Sequence, residues 1–185
     1  MEDKNCMKCA IQLVFDDEDQ VLINRLRAIL AKNGVHDEAV PINHISLADI
    51  EINDDQLPVI KSILEQFSKT NKTLPLVLTF AGTFMTKENL IFLAPIITSE
   101  LIRYNDELVN ILLKNNIRCG KYYIKDNWQP HCTISIRVSD EELFAGFRVL
   151  KENNFLPMKV NGVAIDLLCY DPKPYNELMR FDLMK

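Results

Sequence analysis

Apolar residues along this chain recur with two periods, and the places where the period changes mark out its elements. "KCAIQLVF" (8–15) reads as a buried strand. The acidic "DDEDQ" that follows suits a helix N-terminus, and the stripe Leu22, Leu26, Ile29 and Leu30 carries that helix to a stop at Gly34. "PINHISL" predicts a short strand. The stripe Leu57, Ile60, Leu64 and Phe67, with Asn53 as N-cap, predicts a helix over about 54–69. "LPLVLTFAGTF" and "NLIFLAPII" read as a hairpin linked by "MTKE". Leu101, Tyr104, Leu108, Ile111 and Leu112 mark a third helix over about 99–115. "GKYYI" predicts a short strand, and "QPHCTISIRV" a longer one. Ser139 and Glu142 form a capping box ahead of the stripe Leu143, Phe147 and Leu150. "MKVNGVAIDLLCY" and "ELMRFDLM" predict two closing strands. This order is α+β or mixed α/β, with no linker-like or low-complexity segment, so one domain over 1–185 is expected.

Within these elements two strands carry an unusual polar row. Side chains alternate across a strand, so in "HISL" His44 and Ser46 share one face while Ile45 and Leu47 share the other. In "HCTIS", His131, Thr133 and Ser135 share a face, opposite Cys132, Ile134 and Ile136. The apolar sets have a destination in the core. The polar sets need a wet groove or a ligand. Each histidine strand leads into a helix, and the two lie close to half the chain apart, which is the pattern of two similar lobes. A single His-x-Ser or His-x-Thr is a common structural feature; the pairing is what points to chemistry. Two imidazoles titrating near neutrality can act as complementary acid and base, and neighbouring hydroxyls can hold a phosphoryl oxygen.

Composition narrows the alternatives. Hydrophobic residues make up 48%, enough for a core, and the formal charge is −5. That charge argues against a broad non-specific nucleic-acid coat but leaves room for a phosphate pocket of neutral donors. No apolar run approaches the roughly 20 residues that span a bilayer. The five cysteines are an odd number without framework spacing, so reduced thiols and a cytoplasmic location are expected, and Cys6 and Cys9 read as strand residues and not as a redox pair. The sequence has no HExxH, Walker A, GxGxxG or GxSxG motif, and no metal or cofactor is expected. His36, in "NGVHDEAV", reads as a loop residue.

His44-Ile45-Ser46-Leu47 and Pro130-His131-Cys132-Thr133-Ile134 resemble the two motifs of the 2H phosphoesterase superfamily, the LigT-like or 2′-5′ RNA ligase proteins. Ser46 stands where threonine is more usual, a swap that keeps the hydroxyl. The resemblance implies a bilobal α+β fold, with two mainly antiparallel sheets facing a central cleft and helices outside. It implies metal-independent cleavage of nucleotide or RNA cyclic phosphodiesters, with His131 as base, His44 as acid, and Ser46 and Thr133 as phosphate binders. The alternatives are a nucleotide- or RNA-binding module without turnover and RNA end-joining. Tyr122, Tyr123 and Trp128 are candidates for base stacking, with strand packing as the plainer reading. Phe84 is a candidate cleft floor, again with core as the plainer reading. Ser135 and, if no bulge intervenes, Arg137 extend the row from His131. Gln12 has the parity of Ala10 and Val14, and the sequence does not place it. A monomer is expected.

Overall fold

The computed structural model describes residues 6–36, 42–86 and 88–185, so Lys87 in the predicted "MTKE" link lies outside the described residues. Seven strands and four α-helices are present among them: β1 (Cys6–Phe15), α1 (Asp17–Lys32), β2 (His44–Asn53), α2 (Leu57–Thr70), β3 (Leu74–Gly82), β4 (Asn89–Pro95), α3 (Ser99–Lys114), β5 (Cys132–Val138), α4 (Asp140–Glu152), β6 (Met158–Asp171) and β7 (Asn176–Asp182). All strand pairings among them are antiparallel, and the fold is α+β.

Helices α1 and α4 start where the sequence predicts and for the predicted reasons, whereas the Asn53 side chain, the predicted cap of α2, makes no capping bond. The Asp16 carboxylate accepts from Asp19 N at 2.9 Å and caps α1. Ser139 and Glu142 close the reciprocal capping box of α4, at 3.2 and 2.6 Å. Two details differ. The buried face of α1 is Ile23, Leu26, Arg27 and Leu30, one step round from the predicted stripe, and Leu22 is exposed. Residues 54–56 form a 3-10 turn before α2, with the Gln56 side chain accepting from Asn53 N at 3.1 Å, so the α-helix proper starts later than predicted.

The sheet runs β2-β1-β6-β3-β4-β5, with β7 also paired to β6. The long strand β6 is its junction. One edge pairs with β1 through residues 162–171; the other pairs with β3 over 158–162 and with β7 over 164–169. The sheet therefore forks near Gly162. A Cβ there would lie 2.7 Å from the Leu13 side chain, so the crowded fork requires glycine. The two expected sheets are thus the halves of one hydrogen-bonded sheet. Helices α2 and α3 pack on the half that holds β2, β6 and β7, and α4, with α1 beside it, packs on β4 and β5. The edge strands β2 and β5 approach each other across the opening. These are the strands of the two histidine motifs.

Candidate functional site

His44 opens β2, and the residue before it is clamped by α1. Asn43 is buried; its N–H and Nδ2 donate to Gln20 Oε1, both at 2.9 Å, and its carbonyl accepts from Gln20 Nε2 at 2.8 Å. Asn43 Nδ2 also reaches Asn24 Oδ1 at 2.9 Å. The His44 ring is then fixed by Nδ1 donating to the Ile42 carbonyl at 2.7 Å. His131 repeats the device one residue before β5, with Nδ1 on the Gln129 carbonyl at 2.7 Å. In both rings a backbone carbonyl two residues upstream holds the proton on Nδ1. That presents Nε2 as the working nitrogen.

The two motifs are tied to each other. Trp128 Nε1 donates to the Ser46 carbonyl at 3.0 Å, and the His44 backbone hydrogen-bonds the buried Cys132 thiol. Burial pushes that thiol up to about 12. Phe84 and Phe92 pack on the His131 ring, with centroids 5.0 and 5.3 Å away.

A cavity of about 250 Å³ is lined by Gln12, His44, Ser46, Thr133, Asp49 and Tyr123, among others. A second, of about 360 Å³, lies against His131, Phe84, Tyr122, Tyr123 and Trp128. Tyr123 belongs to both. Burial drives His44 down to about 4, with the Ile42 carbonyl opposing and His131 adding to the effect. Burial also lowers His131, against the pull of the Gln129 carbonyl. Burial thus disfavours the protonated form of both rings. Gln12, opposite Ser46 on β1, sets its Nε2 3.0 Å from His44 Nε2. An amide N–H in that place needs a lone pair on the imidazole.

The cleft thus holds His44, Ser46, Thr133 and Tyr123, with His131 and Phe84 joining at the second cavity. Three of the sequence candidates take other places. Ser135 is buried on the opposite face, its hydroxyl donating to the His36 carbonyl. The cause is a bulge: Ile91 pairs with Ser135 and Phe92 with Thr133, so Ile134 is an extra residue and the alternation flips. Ile136 then lines the cavity in place of Ser135. A second irregularity leaves Arg137 exposed, at φ 55 in the left-handed region, and outside both cavities. Trp128 is only 7% exposed, so it acts as a strut between the motifs, with just an edge on the second cavity. The predicted "GKYYI" strand is a run of turns, held by Tyr123 N on the Gly120 carbonyl and by Asn105 Nδ2 on the Tyr123 carbonyl, at 2.9 and 3.0 Å. That path carries Tyr123 across the cleft. His36 is exposed, as its loop setting implies.

Asp49, Tyr170 and Tyr175 also line the first cavity, and parity reasoning passed over them. Asp49 reaches it because β2 has its own bulge: Ile11 pairs with Ala48 and Gln12 with Ser46, which leaves Leu47 extra. A signal was present. In "HISLADIEI" the apolar positions switch from 45 and 47 to 48, 50 and 52, which is what a bulge does to a strand pattern.

No group of three or more His, Cys, Asp or Glu that could hold a metal occurs among the described residues, and none of their helices is long and apolar enough to cross a membrane.

No curated protein matches the chain. Solved structures do. E. coli LigT complexed with 3′-AMP superposes with a TM-score of 0.69 at 14% identity, covering 98% of this chain and 100% of that one. A protein of Thermus thermophilus gives 0.67 at 12%, covering 96% and 98%. The MHV ns2 PDE domain gives 0.54 at 16%, covering 72% and 80%. At such identities these likenesses establish the fold. The family model of the 2′-5′ RNA ligase superfamily matches residues 15–173, a span that holds both histidine motifs. By that match this chain belongs to the 2′-5′ RNA ligase superfamily.

Proposed function

We propose that this protein is a phosphodiesterase that hydrolyses nucleotide or RNA 2′,3′-cyclic phosphates with two histidines and no metal. The observation that carries this reading is the matched pair of Nδ1-anchored imidazoles, His44 in a cavity it shares with Ser46 and Thr133, and His131 in the second cavity that Tyr123 joins to it. The two hydroxyls bind the non-bridging phosphoryl oxygens. One imidazole takes a proton from water as the water oxygen bonds to phosphorus. The other donates a proton to the ribose oxygen as its bond to phosphorus breaks. The product is a phosphomonoester, and one histidine has given up the proton that the other gained.

Family resemblance draws His131 as base and His44 as acid. Two observations favour the opposite assignment here. Gln12 Nε2 faces His44 Nε2, which suits an unprotonated ring, and burial lowers His44 to about 4. His44 is then the base toward water and His131 the acid toward the leaving oxygen.

The family description also favours a second reading, joining of RNA ends, in which a ribose hydroxyl replaces water as the nucleophile. Incubating the protein with 2′,3′-cyclic nucleotides and with cyclic-phosphate-ended RNA separates hydrolysis from joining. Each of His44→Ala and His131→Ala should cost about a hundred- to ten-thousand-fold in rate, and chelator should have no effect. Undiminished hydrolysis in both variants would falsify the two-histidine mechanism. Tight nucleotide binding without turnover by the wild type would support the binding-module alternative.

A further inference from the structure

The two motifs are near copies, and the place where they differ points to the substrate. Each runs His, x, hydroxyl, bulge, and then a further residue that returns to the cavity. In β5 that residue is Ile136. In β2 it is Asp49. A carboxylate therefore stands on one side of the phosphate position and an aliphatic side chain on the other. Asp49 is held there. Its Oδ1 accepts from the Tyr170 hydroxyl at 2.6 Å, and its backbone carbonyl accepts from Gly120 N at 2.7 Å. A Cβ at position 120 would lie 3.0 Å from Asp49 Oδ2, so glycine leaves that oxygen its room.

The rest of the lining offers this carboxylate no cation. Among the described residues that line the two cavities there is no lysine or arginine. Arg180, on β7 beyond Asp166, is engaged by Asp166 and Glu177, and Lys8, outside the lining, is paired with Asp171 and feels Asp49 only at longer range. Three tyrosines, Tyr123, Tyr170 and Tyr175, share the cavity with Asp49. The phosphate position is thus served by neutral donors, and the space beside it by one carboxylate and aromatic rings. Such a space repels a second anion and attracts a group that can donate a hydrogen bond.

We propose that the cleft selects a nucleoside phosphodiester carrying a single phosphate, with a sugar hydroxyl or base N–H of the nucleoside donating to Asp49. This rests on the phosphodiesterase reading for the position of the phosphate, but its test does not need turnover. Guanosine 3′-phosphate, uridine 3′-phosphate and guanosine 3′,5′-bisphosphate are titrated calorimetrically into wild type, Asp49→Asn and Asp49→Leu, with folding checked by circular dichroism. The wild type should bind the bisphosphate about tenfold more weakly than guanosine 3′-phosphate, the size expected for two screened like charges about 8 Å apart. Asp49→Asn keeps an acceptor but removes the charge, and should shrink that gap to about threefold or less. Asp49→Leu removes the acceptor, and should weaken the monophosphates by about fivefold or more. A loss confined to guanosine 3′-phosphate assigns the donor to the guanine base. Equal binding of mono- and bisphosphate by the wild type, or a gap that Asp49→Asn leaves intact, overturns the inference. If the binding pattern holds and 2′,3′-cyclic GMP is not hydrolysed, the catalytic reading fails and this one stands.

Discussion

Replacing Gln12 with glutamate tests the assignment of acid and base directly. Gln12 Nε2 lies 3.0 Å from His44 Nε2, so a carboxylate at the same position would face the ring nitrogen that does the work. With charge centres about 4 Å apart and an effective dielectric near 20, the attraction is about 4 kcal/mol, which the half-open cleft reduces to about 1–3 pH units. His44, now near 4, should move to about 6. Asp166 is the cross-strand partner of Gln12, and its own burial resists a second charge beside it. The proton held below about pH 6 is shared between the introduced carboxylate and the imidazole; on either group, it stops His44 from acting as a base. If His44 is the base, the acid limb of kcat/KM for 2′,3′-cyclic AMP hydrolysis rises by about two pH units, giving roughly a tenfold loss at pH 5 and little change at pH 8. Movement of the alkaline limb instead would make His44 the acid and refute the assignment. Unmoved limbs would mean that Gln12 does not touch His44 in the working site.

Three further outcomes are expected. Thr133→Val and Ser46→Ala should each weaken binding of inorganic phosphate by about 1 kcal/mol or more, read as a rise in its inhibition constant; unchanged inhibition would remove these hydroxyls from the phosphate position. Trp128→Phe deletes the donor to the Ser46 carbonyl, and should lower unfolding stability by about 1 kcal/mol and reduce kcat more than it raises KM; a purely thermodynamic effect would make the strut irrelevant to alignment. Asp166 is fully buried, and burial raises it to about 7, with Arg180 opposing and Glu177 adding. Between about pH 4 and 7 Asp166 therefore holds more proton in the native state than in the unfolded chain, and its contribution to stability is lost as pH rises through that window. Burial of a neutral His44 acts the other way over about 4 to 6.5, so the comparison is made against Asp166→Asn. In urea unfolding, that variant should gain on wild type by about 2 kcal/mol between pH 4.5 and 7.5; a constant difference would mean that Asp166 does not titrate there.

Much of this was readable from the chain because it depends on local rules. Capping boxes and helical stripes act within a few residues, and α4 begins where Ser139 and Glu142 place it. His44, Ser46 and Thr133 line one cavity, as strand alternation expects, while His131, one residue before β5, lines the second. What parity could not carry was anything past a bulge. Ser135 and Arg137 left the row because β5 takes in extra residues, and nothing in "TISIRV" marks it: Ile134, Ile136 and Val138 keep a regular alternation in sequence while the backbone breaks it. Asp49 entered the cleft by the same device. Trp128 and Gln12 needed the third dimension, since their partners are 82 and 32 residues away.

The fork in the sheet bears on how such a molecule can change and move. The resemblance between the two motifs invites a view of two halves, each with its own histidine. Yet β6, near the end of the chain, pairs with β1 along one edge and with β3 along the other. A chain cut midway between the motifs would leave the first half without the strand that completes its sheet. A common backbone strand also resists the hinge motion that lets many two-lobed proteins shut over a ligand. The two histidine strands are therefore joined, end to end, by one unbroken series of backbone ladders.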